Sequence, residues 1–381
     1  MNIFFLTQWY PTPESPINGI FIREHARAIS LFHSVFVVHV KGVQENDYSA
    51  PKIFKEEDEH LTTFTISYPK SWLPKTAWLQ RINLVFEVFN ILSSSGKQPD
   101  IIHANVYNTA DLAALLRKRY RIPAVLTEHS SSFPRRLISK KRAVLIRYFV
   151  NQLQLILPVS EDLIQHMEAY RIQGPFHVIP NTVNTNIFNP EAAKPSKLDG
   201  TIRILAVASL VEVKRIDLLL HAVTILKGKG RRFSLMIAGD GPERGKLEAL
   251  ARTLNLSTDT IFLGVKTKDE ISVLMKQADI LSLTSMWENQ PVVALEALAS
   301  GLPVLAPSIG GIPEIVLPGY GRLFEPGNIQ SIVTEMEQLL DNLQDYRSNN
   351  IADYARKKFS YAAVGQAYSL AYQQVMEEHK R

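Results

Sequence analysis

The chain has 381 residues, 46% of them hydrophobic and 21% charged, with a net charge of +5. That length suits two domains of about 150–200 residues rather than one core, and the composition is that of an ordinary globular protein. Cysteine is absent, which excludes disulfides and thiolate metal sites. No apolar run reaches the roughly 18–20 residues that span a bilayer, so a cytoplasmic chain is expected.

The opening MNIFFLTQWYP has no basic segment before it and is read as a first strand rather than a signal peptide. Further β-rich runs follow at 35–40, 64–68, 101–105, 124–129, 155–160 and 177–181, separated by helical patterns such as FIREHARAIS and DLAALLRKRY. Alternation of this kind predicts parallel strands joined by crossover helices. The Asn-, Pro- and Lys-rich stretch around 186–200 reads as a linker. A second series then runs strand 202–210, helix 215–228, strand 233–241, helix 243–254, strand 260–264, helix 268–277, strand 279–285, helix 291–299 and strand 303–307. The tail from 359 to 381 reads as one amphipathic helix. The fold class is therefore α/β, with two Rossmann-like domains at 1–185 and 201–360. In such sheets ligands bind beyond the carboxyl ends of the strands, which predicts a site facing the space between the domains.

The excess charge lies in the first half, where residues 1–190 hold 20 Lys and Arg against 15 Asp and Glu. Residues 117–147 carry ten basic side chains and one acid, Glu128. This run reads either as a solvated face or as a surface for an anionic partner, such as lipid headgroups or an acidic acceptor. No recognisable nucleic-acid-binding motif accompanies it, so nucleic acid is not an expected partner.

Glu288 and Glu296 stand eight positions apart in MWENQPVVALEALASGLPVL. Fully helical spacing would separate them by about 12 Å, too far for the paired carboxylates of a glycosidase at about 5–9.5 Å. The pair suits opposite ends of one elongated ligand. Carboxylates accept hydrogen bonds from sugar or ribose hydroxyls, and the N-terminus of helix 291–299 offers N–H groups to a diphosphate between them. On spacing alone, a capping acid and a surface glutamate fit equally well.

The segments ENQPVVALE with EALASGLPVLA, GGIPEIV (310–316), SLVEVKRIDLLLHA (209–222), MIAGDGPER (236–244), IFLG (261–264), VIPNTVNTNIF (179–188) and NGIFIREHARAIS (18–30) occur in one order along nearly the whole chain. In this the chain resembles retaining glycosyltransferases of the group 1, or family 4, type. The resemblance implies the GT-B fold, with residues 361–381 crossing back to the N-terminal domain. It implies a nucleotide-sugar donor bound by the C-terminal domain, an acceptor bound by the N-terminal one, and no cofactor or metal.

Residue by residue, the resemblance puts Glu288 near the transferred sugar and Glu296 on the ribose. It gives backbone contacts to Asn289, Gln290, Pro291 and Val292, and to Gly264 and Val265 beside the base. Lys214 corresponds to the phosphate-binding lysine, and Ser209 stands where relatives often have arginine. Gly19 belongs to the loop after the first strand, and His129 lies close to the donor sugar. Glu288, His129 and Lys214 are thus the expected catalytic residues. A glycan or lipid-linked acceptor of cell-surface polysaccharide synthesis is expected, with the 117–147 run allowing peripheral attachment to the inner membrane face.

The rivals are a nucleotide-sugar epimerase of the same fold and a non-catalytic sugar-nucleotide sensor. A Rossmann dehydrogenase would need G-x-G-x-x-G after its first strand, and AGDGPER does not fit that pattern.

Overall fold

The computed structural model describes residues 1–15, 17–43, 52–58, 61–69, 74–190 and 200–380. Of the expected linker 186–200, residues 191–199 lie outside that set. Contacts divide the chain into two units, Met1–Thr182 with Tyr361–Arg381, and Val183–Ser360. Residues 183–190 pack with the second: Val183 N donates to Phe359 O at 2.8 Å, and Phe188 is buried in that unit's core.

The first unit contains β1 (Asn2–Thr7), α1 (Ile20–Ser30), β2 (Ser34–Val43), β3 (Lys52–Asp58), β4 (Leu61–Pro69), α2 (Pro74–Ser94), β5 (Ile101–Asn105), α3 (Ala110–Tyr120), β6 (Ala124–Glu128), α4 (Lys140–Val150), β7 (Leu155–Pro158) and α5 (Glu161–Ala169). The strands order as β3-β4-β2-β1-β5-β6-β7, all parallel except the β3–β4 pair. Helices cover parallel sheets on both faces, so the strands must be apolar throughout. In β1, Ile3, Phe4, Phe5 and Leu6 are fully buried.

β3 was not among the expected strands, because KIFKEED carries five charged residues in seven. It sits antiparallel at the sheet edge, where charged side chains are tolerated and discourage further pairing. The expected strand at 177–181 forms no ladder. Pro175 precedes it and Pro180 lies within it, and only His177 N and Ile179 N reach the carbonyls of Ile156 and Pro158, each at 3.0 Å.

The second unit contains β8 (Ile202–Val207), α6 (Ile216–Gly228), β9 (Phe233–Ala238), α7 (Arg244–Thr253), β10 (Thr260–Gly264), α8 (Lys268–Gln277), β11 (Ile280–Ser282), α9 (Val292–Ala299), β12 (Val304–Pro307), α10 (Ile312–Ile315), β13 (Gly321–Phe324), α11 (Ile329–Asp341) and α12 (Ser348–Phe359). Its six parallel strands order as β10-β9-β8-β11-β12-β13. The direction of winding reverses between β8 and β11, which places the crevice of a topological switch point at their carboxyl ends.

The expected tail helix 359–381 is one helix, Tyr361–Lys380, preceded by a separate helix. Ser360 is extended (φ −62°, ψ 159°) and ends α12, after which α13 (Tyr361–Lys380) packs into the first unit. α13 lies close against α1: a Cβ on Gly365 would fall 2.1 Å from Ala28 O. Its Tyr368 and Tyr372 are fully buried in the first core.

Candidate functional site

In the second unit Ser209 and Lys214 follow β8 and Glu288 follows β11, at the crevice between those strands, whereas Gly264 and Val265 lie at the end of the edge strand β10. After β8 the chain turns through Ser209, whose carbonyl accepts from Val211 N at 2.9 Å and whose side chain is exposed. A 3₁₀ turn over Glu212–Lys214 follows. Met286 N donates to Val213 O at 2.9 Å and Thr284 Oγ1 to Lys214 O at 3.0 Å, so the loops after β8 and β11 are stitched together.

That stitching brings Lys214 Nζ to 2.5 Å from Glu288 Oε1, which also accepts from Ser285 Oγ at 2.7 Å. The expected phosphate-binding lysine and the expected sugar-side glutamate therefore meet directly: the ammonium sits on Glu288. The Glu288 side chain is 12% exposed and that of Lys214 26%, so the pair is partly desolvated and its attraction exceeds that of a surface ion pair. Arg215, next in sequence, is held by Asp217 at 2.8 Å instead.

The glycine pair 310–311 has a specific role here. Gly310 adopts φ +52°, and a Cβ there would lie 2.0 Å from Glu288 O. Gly311 N donates to Asn289 O at 2.6 Å. The second loop thus clamps the backbone of the first, which only a residue without a side chain permits. Asn289 and Gln290 are buried beneath it.

Pro291 is the N-cap of α9, and the helix opens at Val292, one residue later than expected. Its ring precludes an N–H, so the first donors of α9 come from Val292 onward. Glu296, in the second turn and buried, faces Lys268 Nζ at 3.8 Å. Gly264 adopts φ +68° and its carbonyl accepts from Gly239 N at 2.7 Å, while Val265 is exposed.

The other two expected residues belong to the first unit. Gly19 is the N-cap of α1 with φ +68°, and a Cβ there would fall 2.3 Å from the Trp9 backbone, so close approach of the β1 loop requires glycine. His129 follows β6. The fully buried Glu128 accepts from the backbone N–H groups of Tyr107 (2.8 Å), His129 (3.0 Å) and Ser130 (2.6 Å), and so builds the turn that carries the histidine. Burial pushes the Glu128 carboxyl up to about 7, opposed by those three donors. His129 Nδ1 and His25 Nε2 each lie 3.1 Å from Asn181 Oδ1. Burial holds both imidazoles low, His25 at about 4.

Sequence reasoning did not single out Ser285, Lys268 or Asn181 as partners of these groups. Asn181 stood inside a quoted motif and Ser285 three residues before Glu288, but Lys268 carries no local signal. Among the described residues no three His, Asp or Glu side chains converge as a metal site, and no helix is long and apolar enough to cross a membrane.

Two doubly wound units, the second with a lysine–glutamate pair at its switch point, define the GT-B architecture. Residues 188–358 match the model of glycosyl transferases group 1, and residues 21–187 that of glycosyltransferase family 4. The chain belongs to the group 1 glycosyltransferases. It is similar to EpsF of Bacillus subtilis, named as a candidate glycosyltransferase, with 31% identity over 268 residues covering 66% of this chain and 67% of that one. Among solved structures it resembles Anabaena HepE in complex with UDP (TM-score 0.79, 19% identity, 98% and 100% of the two chains). It also resembles the sucrose-phosphate synthase of Thermosynechococcus elongatus (TM-score 0.77, 19% identity, 99% and 100%).

Proposed function

We propose that this glycosyltransferase moves a sugar, with retention of anomeric configuration, from a nucleotide-sugar donor bound by the second unit to a hydroxyl acceptor bound by the first. The observation that carries this reading is the Lys214–Glu288 pair at the β8/β11 crevice. The nucleoside diphosphate gains negative charge as the glycosidic bond breaks. An ammonium already anchored there stabilises that charge more than the ground state, in place of a metal ion. Glu288 takes the sugar hydroxyls, Glu296 the ribose, and the opening turn of α9 the diphosphate. Ser209, Gly264 and Val265 border the nucleotide.

The family match over both halves of the chain supports transfer over epimerisation. HepE has been solved with UDP and with UDP-glucose, which supports a nucleotide-sugar donor here. In a thermal-shift screen of UDP-, GDP- and ADP-sugars, one donor at 100 times its Kd adds about 2.7 kcal/mol, or roughly 5–10 °C in Tm for a unit of this size. No shift with any donor overturns the reading. The product's anomeric configuration, read by NMR, tests retention.

On the acceptor side, a cavity of 420 Å³ in the first unit is lined by Trp9, Tyr10, His39, Lys41 and Tyr68, among others. Aromatic faces beside polar groups suit a sugar ring. The basic run supports a lipid-linked acceptor made for the cell surface, met at the inner membrane face. In α4 and the turn before it, Arg135, Arg136, Lys140 and Lys141 are exposed beside Leu137, Val144, Leu145 and Tyr148. Cationic heads with apolar side chains between them fit an anionic bilayer surface. Arg119 instead lies over the Phe86 and Tyr120 rings, and Arg142 is held by Asn108 at 2.7 Å. Co-sedimentation with vesicles containing anionic lipid is expected, and it should fall at least tenfold on neutralising the four exposed cations. Binding indifferent to lipid charge rules this surface out.

A further inference from the structure

The second unit carries another cavity, at the end of its sheet opposite the crevice. This 510 Å³ hollow lies between α12 and the turn that leads into β13, and its volume falls within the range of about 300–1,000 Å³ usual for ligand sites. Val304 and Gly321 open the parallel strands β12 and β13 side by side, so the turn before Gly321 stands at the amino ends of the strands. The crevice with Lys214 and Glu288 stands at the carboxyl ends of β8 and β11.

Two stacked tyrosines line the hollow. Gly319 (φ +86°) and the bond from Tyr320 N to Leu317 O at 3.0 Å tighten the turn that presents Tyr320. On α12, Asn350, Asp353, Tyr354 and Lys357 recur at helical spacing along one face, while Ile351, Ala352, Ala355 and Phe359 are buried. The Tyr354 ring stacks on Tyr320 with centroids 4.3 Å apart and planes 17° apart, and meets the buried Phe359 edge-on at 5.5 Å. Both tyrosines are half-buried. Packing thus holds the aromatic platform in place before a ligand arrives, which lowers the cost of binding.

The rim decides the ligand. Asp345 and Asp353 offer acceptors, Arg347, Lys357 and Lys358 offer donors, and Asn350 offers both, all on exposed side chains. Arg356 Nη1 donates to Asp353 Oδ1 at 2.8 Å, which orients that carboxylate. A nucleotide or other anion would meet two carboxylates here, and a cation would meet three positive side chains. A hydroxylated ligand suits both sets, because every hydroxyl donates and accepts. The C–H groups on the face of a sugar ring also suit the negative face of an aromatic ring.

We propose that this cavity is a second saccharide site, which holds part of a neutral glycan chain away from the donor crevice. Its use as an anchor for a growing acceptor or product rests on the transferase reading, whereas the binding itself does not. A chain retained here stays beside the enzyme between transfers, at an effective concentration that a free chain lacks.

The test is binding of the full chain, detected through an N-terminal tag, to a printed array of bacterial and synthetic oligosaccharides. Wild type should bind at least one neutral glycan. Tyr354→Leu should lower that signal at least tenfold. So should the exposed pair Asn350→Ala with Asp353→Ala, which serves if Tyr354→Leu does not fold. Both variants should keep the donor-induced thermal shift of wild type, since the crevice is untouched. An array on which no neutral glycan is bound overturns the proposal, and so does binding confined to sulfated or phosphorylated glycans. A glycan signal unaltered in the folded variants, or a donor shift lost together with it, overturns it too. Neutral-glycan binding that these variants abolish, in a chain that shifts with no donor, would sink the transferase reading and leave the saccharide site standing.

Discussion

Lys214→Ala is expected to lower kcat/KM by about 10²–10³-fold, the range typical of removing one preorganised group that stabilises developing charge. The fall should appear in kcat more than in KM, because the ammonium meets more charge in the transition state than in the bound donor. Its location explains the size of the effect. Nζ is held by Glu288 Oε1 at 2.5 Å, and that glutamate is fixed by Ser285 and by the 310–311 clamp on its backbone. Removing the lysine also leaves the partly buried Glu288 carboxylate without its cation. Glu288→Gln should then be costly alone, yet the double variant should fall short of the product of the single losses, since the two groups are one coupled pair. Steady-state kinetics with the donor found in the thermal screen reads all three. Lys214→Ala within threefold of wild type, with fold intact, would remove the pair from the mechanism.

The second large effect is acid loss of the first unit. Burial holds His25 at about 4, and holds His103 and His129 well below the ordinary 6.5. The unfolded chain takes these protons near 6.5 and the folded chain far lower. Their contribution is therefore complete above pH 6.5 and shrinks as the pH falls from there towards 4. Glu128 acts the other way: raised to about 7 by burial, it takes a proton in the folded state before the unfolded one does, near 4.5. It cancels one of the three histidine protons. The net two protons correspond to roughly 3 kcal/mol lost per pH unit between about 6 and 5. His33 and His39, both lowered to about 4 chiefly by burial, act in the same direction. The second unit contains one of the ten histidines, His221. Amide exchange should therefore show protection collapsing in 1–182 and 361–380 by about pH 5 while 183–360 persists. Equal acid sensitivity in the two units, or a flat profile from pH 7 to 5 in the first, contradicts this account.

Much of the architecture was legible because it is written locally. Continuous apolar runs such as IFFL and LILP have few solutions other than a strand covered on both faces. The alternation of such runs with helical periods leads directly to two parallel sheets. The misses arose where local pattern and tertiary context disagree. KIFKEED has the charge of a loop and becomes an edge strand, because an edge leaves its side chains in water. HVIPN has the composition of a strand and forms none, since its Pro180 lacks the ladder donor. The tail helix stands as expected over 361–380, but that it returns to the first core while the preceding helix stays in the second is a matter of tertiary packing.

For the site, the residue types and their order were readable from 1–381 alone: Glu288 and Glu296 around a helix start, Lys214 after a first strand, His129 at the end of another. The sequence determined which chemical groups are available and which strand ends carry them, because backbone periodicity and motif spacing are short-range properties. Which groups touch was decided only by tertiary structure. Lys214 reaches Glu288 across 74 positions, Lys268 faces Glu296, and Tyr368 joins His25 across 343. Such pairings are set by strand order and by two loops leaving adjacent strand ends, and nothing in the local pattern of either partner encodes the other.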